Sequence, residues 1–246
     1  MFLANLPMKQ KSAEKQIEEL QCALEKKSAQ WDATRQELER FAASISHDLR
    51  APLRAIEGFS KILVEDYSDK IDDEGKRYLK VLDSSSQKMR RMLDDVLQFS
   101  RLSRQEMKFS SVNMNELVAS VWQEWDREIA PRKIDFKLNP LPDSWGDAAL
   151  LHRVWMNLIG NAIKFTAPKE NAVIEISGET DADRTLYCIK DNGVGFRMEG
   201  ATKLFGVFQR LHSDEQFQGN GMGLAIAQRL VRRHSGEIWA DAKTDE

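Results

Sequence analysis

The stretch FAASISHDLRAPL, residues 41–53, places one histidine in a sequence with helical periodicity. Ile45 and Leu49 are four residues apart and share a helix face. His47 lies about 200° away from both, because each residue turns an α-helix by about 100°. His47 is therefore predicted to face water. A lone histidine on a helix surface is most often a solvated or capping residue, so a function for it has to be argued from the surrounding sequence.

Residues 12–46 follow the heptad pattern of a coiled coil. Polar Lys27 and Thr34 at seam positions weaken the seam, and they either fix its register or leave it marginal enough to switch. The seam continues through Leu49, Pro52, Ile56, Phe59 and Leu63. The two successive four-residue steps from Phe41 to Ile45 and from Ile45 to Leu49 form a stutter at His47, which locally unwinds a supercoil. Pro52 then removes a backbone donor, so a bend is expected there. The seam consists of Ile17, Leu20, Leu24, Lys27, Trp31, Thr34, Leu38, Phe41 and Ile45.

A second amphipathic helix is predicted after His47. The polar stretch EDYSDKIDDEG, residues 65–75, favours a connection, and a heptad seam then runs from Ile71 to Phe99. Two such helices form an antiparallel hairpin that buries too little surface alone, so dimerisation into a four-helix bundle is expected. Taken by themselves, residues 12–103 favour a plain interaction bundle over an enzyme.

Composition excludes several classes of protein. The chain has 246 residues, a length typical of one to two domains. Its net charge of -3 and pI of 5.9 argue against binding nucleic acid through phosphate contacts. Cys22 and Cys188 indicate neither a disulfide framework nor a metal site, which fits a reducing cytoplasm. No apolar run approaches the ~20 residues that span a bilayer, so we expect a cytoplasmic chain without membrane contact.

After Arg104 the pattern becomes that of an α/β domain. Residues 110–115 favour a short strand, residues 116–129 a helix and residues 134–138 a half-buried strand. PLPDSWGD, residues 140–147, is typical of a turn, and its Asp147 is placed to cap a helix over residues 148–165. The side chains expected on the inward face of that helix are Leu151, Val154, Leu158, Ala162 and Phe165.

Asn157, Asn161 and Lys164 recur at i, i+4 and i+7 and share one stripe of this helix. Asn is unfavourable in a helix interior, so two aligned asparagines need an explanation. They either satisfy buried backbone groups or supply oxygen ligands to Mg²⁺, with Lys164 near phosphates.

Two glycine-containing segments follow. Residues 173–177 favour a strand, and residues 185–189 form an apolar run suited to a strand covered on both faces. That run ends in DNGVGF, residues 191–196, where Asp191 can accept a hydrogen bond from an exocyclic amine such as that of adenine. Gly193 and Gly195 let the backbone pass close to a flat ring.

The second segment, GNGMGL, contains Gly219, Gly221 and Gly223 and precedes an amphipathic helix. Glycines before a helix N-terminus offer backbone amides and the positive end of the helix dipole to phosphates. Between the two segments, residues 197–218 hold Phe205 and Phe208 in a polar, irregular stretch that is typical of a mobile lid.

Five motifs in this order resemble those of sensor histidine kinases. FAASISHDLRAPL is similar to the H box, RVWMNLIGNAIKFT to the N box, DNGVGF to the first glycine box, LFGVFQRLH to the F box and QGNGMGLAIAQRLVRRHSG to the second glycine box. The sequence HDLRAPL, residues 47–53, is similar to that of phytochrome-type kinases. The ordered set spans residues 41–236 and is highly specific.

The resemblance implies a helical hairpin forming a dimeric four-helix bundle, followed by an α/β sandwich ATP-binding domain of the gyrase, chaperone and histidine kinase type. Residues 1–40 would be an N-terminal coiled-coil signalling helix, and residues 41–104 the dimerisation and histidine phosphotransfer domain. Residues 105–246 would be the ATP-binding catalytic domain. An upstream sensor domain is expected outside this chain.

The resemblance also implies the role of each matched residue. His47 would accept the γ-phosphate of ATP, and Asp48 would receive its proton or orient its ring. Asn161, with Asn157 beside it, would hold Mg²⁺, and Lys164 would neutralise phosphate charge. Asp191 would bind adenine, and Arg210 would reach the phosphates. The pocket and lid would be shaped by Gly193, Gly195, Phe205, Phe208, Gly219, Gly221 and Gly223. The phosphate would then pass to an aspartate of a response-regulator receiver domain docked on the bundle.

The chain departs from the family pattern at two places. Many members carry Thr or Asn four residues after the histidine, where the side chain orients water for removing phosphate from the regulator. Ala51 cannot hydrogen-bond through its side chain, so weak or absent phosphatase activity of that kind is expected. After residues 237–240 the family adds a glycine turn and another strand, so we expect the last strand to be missing and the exposed sheet edge to lower stability.

Three functions remain open at this point. The first is ATP-dependent autophosphorylation of His47 in a two-component system. The second is a dimeric nucleotide-binding scaffold without kinase activity. The third is a gyrase- or chaperone-type ATPase, which the H box disfavours and which would carry a catalytic Glu where this chain has Asn157.

Overall fold

The structure is a computed structural model that describes residues 6–102, 106–181, 184–198, 203–211, 217 and 219–242. The side chains of the predicted seam residues Ile17, Trp31 and Leu38 lie outside this description. The chain divides into two compact units, Met1–Arg101 and Leu102–Glu246. Each unit is described by itself below.

The first unit is a helical hairpin. Helix α1 spans Leu6–Asp66 and helix α2 spans Asp73–Arg101, with one turn of 3₁₀ helix at Ser68–Lys70 in the predicted polar connection. Asp72 begins α2 by accepting a hydrogen bond from the Gly75 amide at 2.8 Å. Helix α1 continues without a break through Pro52 and through the predicted domain boundary after residue 40.

Small residues and two ion pairs join the hairpin helices. Arg50 contacts Asp94 at 3.0 Å and Arg90 contacts Glu57 at 3.1 Å, which fixes an antiparallel register. The residues buried in the hairpin include three serines, whose size lets the helices approach closely. These residues are Ser46, Leu53, Ser60, Leu79, Ser86 and Leu97.

The predicted heptad seams lie mostly on the outer surface of this hairpin. Leu20 and Leu24 are 70% and 71% exposed, and Phe59 is 69% exposed. Further seam residues with large exposed surface are Phe41, Ile45, Leu49, Ile56, Leu63, Tyr78, Leu82 and Met89. Heptad spacing identifies an apolar stripe that another helix has to cover, but it does not identify which helix covers that stripe. Within the hairpin, the contact is made instead by residues that carry little hydrophobic signal.

The second unit combines two small sheets with helices. Strands β1 (Ser110–Val112) and β3 (Ser144–Gly146) pair antiparallel. Strand β4 (Ala172–Asp181) lies between β2 (Ile134–Leu138), which is parallel to it, and β5 (Arg184–Asp191), which is antiparallel. The helices are α3 (Met114–Glu124), α4 (Asp126–Ile129), α5 (Ala148–Phe165) and α6 (Gly223–Arg233).

The core of this unit lies between β4 and helices α3 and α5. Alternation along β4 buries Ala172, Ile174 and Ile176 on one face of the sheet. The side chains that meet them include Val118, Val121, Trp155, Ile159 and Ala162, all at most 3% exposed. A helix face thus covers a sheet face, which is the α/β sandwich that the resemblance to histidine kinases implies.

Three local predictions need correction. PLPDSWGD contains strand β3 rather than being only a turn, because Ser144–Gly146 pairs with β1. Strand β5 is not covered on both faces: Leu186 and Cys188 are exposed, and β5 forms an edge among the strands of the described residues. The buried face of α5 is rotated toward Trp155, Ile159 and Ile163, so that Leu151, Leu158 and Phe165 are only half-buried.

Candidate active site

Both ends of α5, the helix that carries the asparagine stripe, are fixed by side chains. At its start, the Asp147 carboxylate accepts hydrogen bonds from the Leu150 amide at 3.1 Å and from the Lys108 amide at 2.8 Å. At its end, Arg132 donates to the Ile163 carbonyl at 2.7 Å and to Thr166 Oγ1 at 3.2 Å. These contacts satisfy backbone groups that the ends of a helix leave without an intrahelical partner.

Asp147 is buried, and burial alone would raise the pKa of its carboxyl. Hydrogen bonds from the amides of Lys108, Leu150 and Ala149, together with the nearby His234, outweigh that effect and lower the pKa of Asp147. Asp147 is therefore ionised at neutral pH, as an N-cap facing the positive end of a helix dipole should be.

The stripe on α5 faces the second glycine box. A Cβ added at Gly223 would lie 2.9 Å from Asn157 Oδ1, and a Cβ added at Gly219 would lie 3.2 Å from Lys164 Nζ. Asn157 Nδ2 donates to the Arg153 carbonyl at 2.7 Å, so the amide group satisfies a backbone acceptor in its own helix. Asn161 makes no side-chain hydrogen bond within the part of the chain that the structure describes. Its amide oxygen remains available to a ligand.

Helix α6 begins at Gly223 within this box, and Met222 provides no side-chain cap for its first amides. Gly221 has a φ of 69°, in the left-handed region. A Cβ at Gly221 would lie 2.7 Å from the Gln209 carbonyl oxygen. The second glycine box therefore packs directly against the backbone of the F box, and only glycine fits there.

Two cations occupy the region next to this box. Desolvation lowers the pKa of the Lys164 ammonium, and the positive charge of Arg210 lowers that pKa further. Arg210 donates to the Phe217 carbonyl at 2.6 Å. Two neighbouring positive charges beside the N-terminus of a helix make a site suited to a polyanion such as a phosphate chain.

The first glycine box packs against Phe165, the last residue of α5. Gly193 donates its amide to Asp191 Oδ1 at 2.9 Å, and Val194 donates to the Phe165 carbonyl at 3.3 Å. A Cβ at Gly193 would lie 2.8 Å from that carbonyl oxygen. Although Asp191 reaches the surface, partial desolvation raises the pKa of its carboxyl, and the Gly193 hydrogen bond opposes this. Gly195 has a φ of 62°, which favours glycine.

The F-box aromatics differ in their surroundings. Phe205 is half-buried, whereas Phe208 is 46% exposed and has a φ of 60°. Phe217 is the buried aromatic side chain among the described residues of this region, and it lies outside the five matched motifs. The one signal for it is an aromatic residue two positions before the second glycine box.

His47 lies on α1 in the first unit, and its side chain is 83% exposed, as the sequence predicts. Its Nδ1 is 3.2 Å from Asp48 Oδ1, so the adjacent carboxylate contacts one ring nitrogen. Ala51, one helical turn further along α1, is also exposed. None of the helices in the described part of the chain has an apolar stretch long enough to cross a bilayer.

Two family models match the two parts of the chain. The His Kinase A (phospho-acceptor) domain matches residues 37–105, and the Histidine kinase-, DNA gyrase B-, and HSP90-like ATPase matches residues 146–246. The chain belongs to the sensor histidine kinases. The chain carries the phosphoacceptor domain and the ATP-binding domain of a histidine kinase catalytic core. The scaffold and gyrase-type alternatives are not favoured, because a phosphoacceptor domain accompanies the ATPase domain.

Curated relatives and a solved structure agree with this assignment. Cyanobacterial phytochrome B of Nostoc sp. is 36% identical over 219 residues, 87% of this kinase chain and 29% of the relative. The methanogenesis regulatory histidine kinase FilI of Methanothrix harundinacea is 30% identical over 89% of the chain and 25% of FilI. Full-length ShkA in complex with AMPPNP is 26% identical, with a TM-score of 0.56 over 82% of this chain and 43% of ShkA. The chain thus spans under a third of the length of these two curated relatives.

Proposed function

We propose that this kinase transfers the γ-phosphate of ATP to His47 and then to an aspartate of a response-regulator receiver domain. One observation carries the proposal: the N-box stripe faces the second glycine box, with Asn157 opposite Gly223 and Lys164 opposite Gly219. An amide oxygen, an ammonium and the start of a helix meet there, which is the set of groups that a magnesium triphosphate requires.

At the phosphoacceptor, His47 acts as the nucleophile. A proton on Nδ1, donated to Asp48, leaves the lone pair on Nε2. Nε2 attacks the γ-phosphorus of ATP while the bond from that phosphorus to the β,γ-bridging oxygen breaks, and ADP leaves. The exposure of His47 allows access to an ATP-binding domain and to a receiver domain. Asp48 holds the ring in this tautomer and stabilises the positive charge that the ring gains.

At the phosphates, Asn161 and Asn157 offer amide oxygens as ligands for Mg²⁺, which prefers oxygen. The described residues contain no group of three or more His, Cys, Asp or Glu side chains that could hold a metal ion. We assign the metal to Asn157 and Asn161, which share the α5 stripe that faces the second glycine box, together with the nucleotide's own oxygens. When bound, Mg²⁺ neutralises charge on the phosphates, and Lys164 and Arg210 add positive charge nearby.

At the base, the free oxygen of Asp191 accepts a hydrogen bond from the exocyclic amine of adenine, while Gly193 orients the other oxygen. Gly193 and Gly195 let the backbone approach the ring, and Phe205 and Phe208 belong to a lid over the site. Gly219, Gly221 and Gly223 shape the phosphate end.

We further propose that the kinase acts as a homodimer. Residues 41–104 form the dimerisation and phosphotransfer domain, residues 105–246 the catalytic domain, and residues 1–40 a signalling helix that connects to an upstream sensor. The exposed seam residues of the hairpin support this assembly, because a second copy placed on them removes large apolar side chains such as Phe59 and Leu82 from water.

The test is incubation of the chain with Mg²⁺ and γ-labelled ATP beside a His47→Gln variant. We expect label on the parent alone, and this label should be lost in acid and retained in alkali, as a phosphoramidate requires. Label on the variant, or label that survives acid, would contradict the proposal. Transfer is tested by adding receiver domains from two-component systems to the labelled kinase and following the label onto an aspartate.

A further inference from the structure

Phe217 is 7% exposed, although it belongs to no helix or strand and has a glutamine on either side in the sequence. Its ring packs edge-on against Phe165, the last residue of α5, with ring centroids 5.1 Å apart and an interplanar angle of 63°. This is a favourable aromatic geometry. Phe217 thus fastens the stretch before the second glycine box to the end of the N-box helix.

The backbone of Phe217 has a second contact. Its carbonyl oxygen accepts a hydrogen bond from Arg210 Nη2 at 2.6 Å. A hydrogen bond from a charged donor is short and strong, and it restricts a guanidinium that otherwise has many rotamers. The position of Phe217 therefore determines where one end of the Arg210 guanidinium lies.

Arg210 and Phe217 belong to one cluster with Lys164. The Lys164 ammonium lies 4.3 Å from the Phe165 ring centroid, and Arg210 acts on it electrostatically. Gly219, two residues after Phe217, lies beside the same ammonium. The Lys164 and Arg210 side chains both carry positive charge, so an anion bound beside them is attracted by both. The cluster is thus arranged in advance for a multiply charged anion.

We infer that Phe217 is a positioning residue for the triphosphate. Its ring, anchored on Phe165, holds its carbonyl in place, and that carbonyl directs Arg210 toward the anion that Lys164 also faces. This inference rests on the proposed function, because it assumes that the anion is the phosphate chain of ATP. Phe217 itself contacts Phe165 and Arg210 and does not need to contact the nucleotide.

The inference predicts a selective loss of binding. Phe217→Ala keeps the carbonyl but removes its anchor, so the Kd for Mg-ATP should rise about tenfold. The Kd for adenosine, which has no phosphates, should change less than ~2-fold. Phe217→Leu, which refills part of the apolar site, should recover part of the ATP affinity. Leu186→Ala, a change at an exposed residue of the same unit outside the five matched motifs, is the matched control and should bind both ligands as the parent does.

A double-mutant cycle with Arg210→Ala tests the route of the effect. If Phe217 acts through Arg210, the double variant should bind ATP no more weakly than the weaker single variant. Additive losses, or an adenosine Kd that rises as much as the ATP Kd, would overturn the inference in favour of simple core filling. If Phe217→Ala does not fold, the same cycle is run with Phe217→Leu.

The result also separates this inference from the proposed function. A parent that binds ATP, beside a Phe217→Ala variant that binds it equally well, would overturn the inference and leave the proposed function standing. A parent that binds no nucleotide would overturn both. Because binding is measured without phosphotransfer, His47 has no part in either result.

Discussion

Gly221 is the residue at which the second glycine box and the F box come closest. Its φ of 69° and the 2.7 Å separation between an added Cβ and the Gln209 carbonyl oxygen exclude any side chain without movement of backbone. We expect Gly221→Ala to destabilise the second unit by about 1–3 kcal/mol and to weaken ATP binding. The measurement is urea unfolding together with a nucleotide titration.

Gly58 provides the control for that substitution. It lies inside α1, and an added Cβ would meet nothing within 4 Å. Gly58→Ala should stabilise the first unit by up to ~1 kcal/mol, because alanine loses less backbone entropy in a helix. A Gly221→Ala variant as stable as Gly58→Ala would show that the close approach at Gly221 is absent.

The carboxylate of Asp147 makes the stability of the second unit decrease at acid pH. Its pKa in the folded chain is lowered from 3.8, so its ionised form contributes stability above that value, and this stability is lost as the pH falls through the lower folded pKa. Asp147→Asn still caps α5 but does not ionise. We expect the urea midpoint of the parent to fall more steeply than that of the variant between pH ~4 and ~2. Parallel curves would contradict this prediction.

Ala51 lies one turn after His47 on the exposed side of α1. A methyl group cannot orient a water molecule, whereas a threonine hydroxyl can donate and accept hydrogen bonds. We therefore expect Ala51→Thr to increase removal of phosphate from a phosphorylated regulator, with autophosphorylation retained. Dephosphorylation is followed by loss of label from the purified regulator. Brisk activity of the parent, unchanged in the variant, would refute the prediction.

Among the elements, α5 was predicted over its full length because its signals are local. Asp147 supplies the cap, apolar residues repeat at helical spacing, and the helix spans Ala148–Phe165 as expected. Strand β3 was not predicted, because a three-residue strand between prolines and an aspartate carries little pattern and pairs with β1 far earlier in the chain. A short apolar run also cannot distinguish an edge strand from a strand covered on both faces, which is why the prediction for β5 is wrong.

Residues of the candidate site could be predicted from the sequence where they belong to a recognisable motif. They could not be predicted where their position depends on tertiary packing. The asparagine stripe and the glycines were found by spacing, and the structure brings Asn157 to Gly223 and Lys164 to Gly219. Phe217 was missed, because burial of one aromatic in a polar stretch depends on its contact with Phe165, 52 positions earlier in the sequence. The same limitation hid the serine contacts of the hairpin.

The register of the hairpin depends on two ion pairs that differ in how far their carboxylates are buried. The Glu57 side chain is 17% exposed and Oε1 has no partner among the described residues, while Arg90 binds Oε2 at 3.1 Å. Arg90→Ala would leave the Glu57 carboxylate partly buried without a partner, at a cost of about 1–3 kcal/mol. Asp94→Ala breaks the more exposed pair with Arg50 and should cost below ~1 kcal/mol.

Thermal and urea unfolding of Arg90→Ala and Asp94→Ala measures the difference in their loss of stability. Adding Glu57→Gln to Arg90→Ala removes the unpaired charge and should restore part of the stability. Equal losses for Arg90→Ala and Asp94→Ala would mean that the buried carboxylate is solvated in solution.

At the scale of the whole molecule, the exposed apolar seams of the hairpin serve the proposed dimer and the proposed transmission of a signal along α1. Helix α1 runs unbroken from Leu6 to Asp66, so the coiled-coil segment and His47 belong to one continuous helix. A rotation applied near the N-terminus is therefore carried along the helix to the stutter and to Pro52. A change of helical phase within the coil should then change the activity of the kinase.

An insertion series near Gln30 tests this coupling. Each added residue rotates the preceding helix by about 100° relative to the hairpin, so autophosphorylation of His47 should rise and fall with a period of about 3.6 residues. An insertion of one heptad, ~7 residues, restores the seam and serves as the control that should keep parental activity. Dimer mass is measured for every variant, because a broken coil that dissociates the kinase would lower activity for another reason. A flat response among variants that remain dimeric would show that the phase of α1 carries no signal to His47.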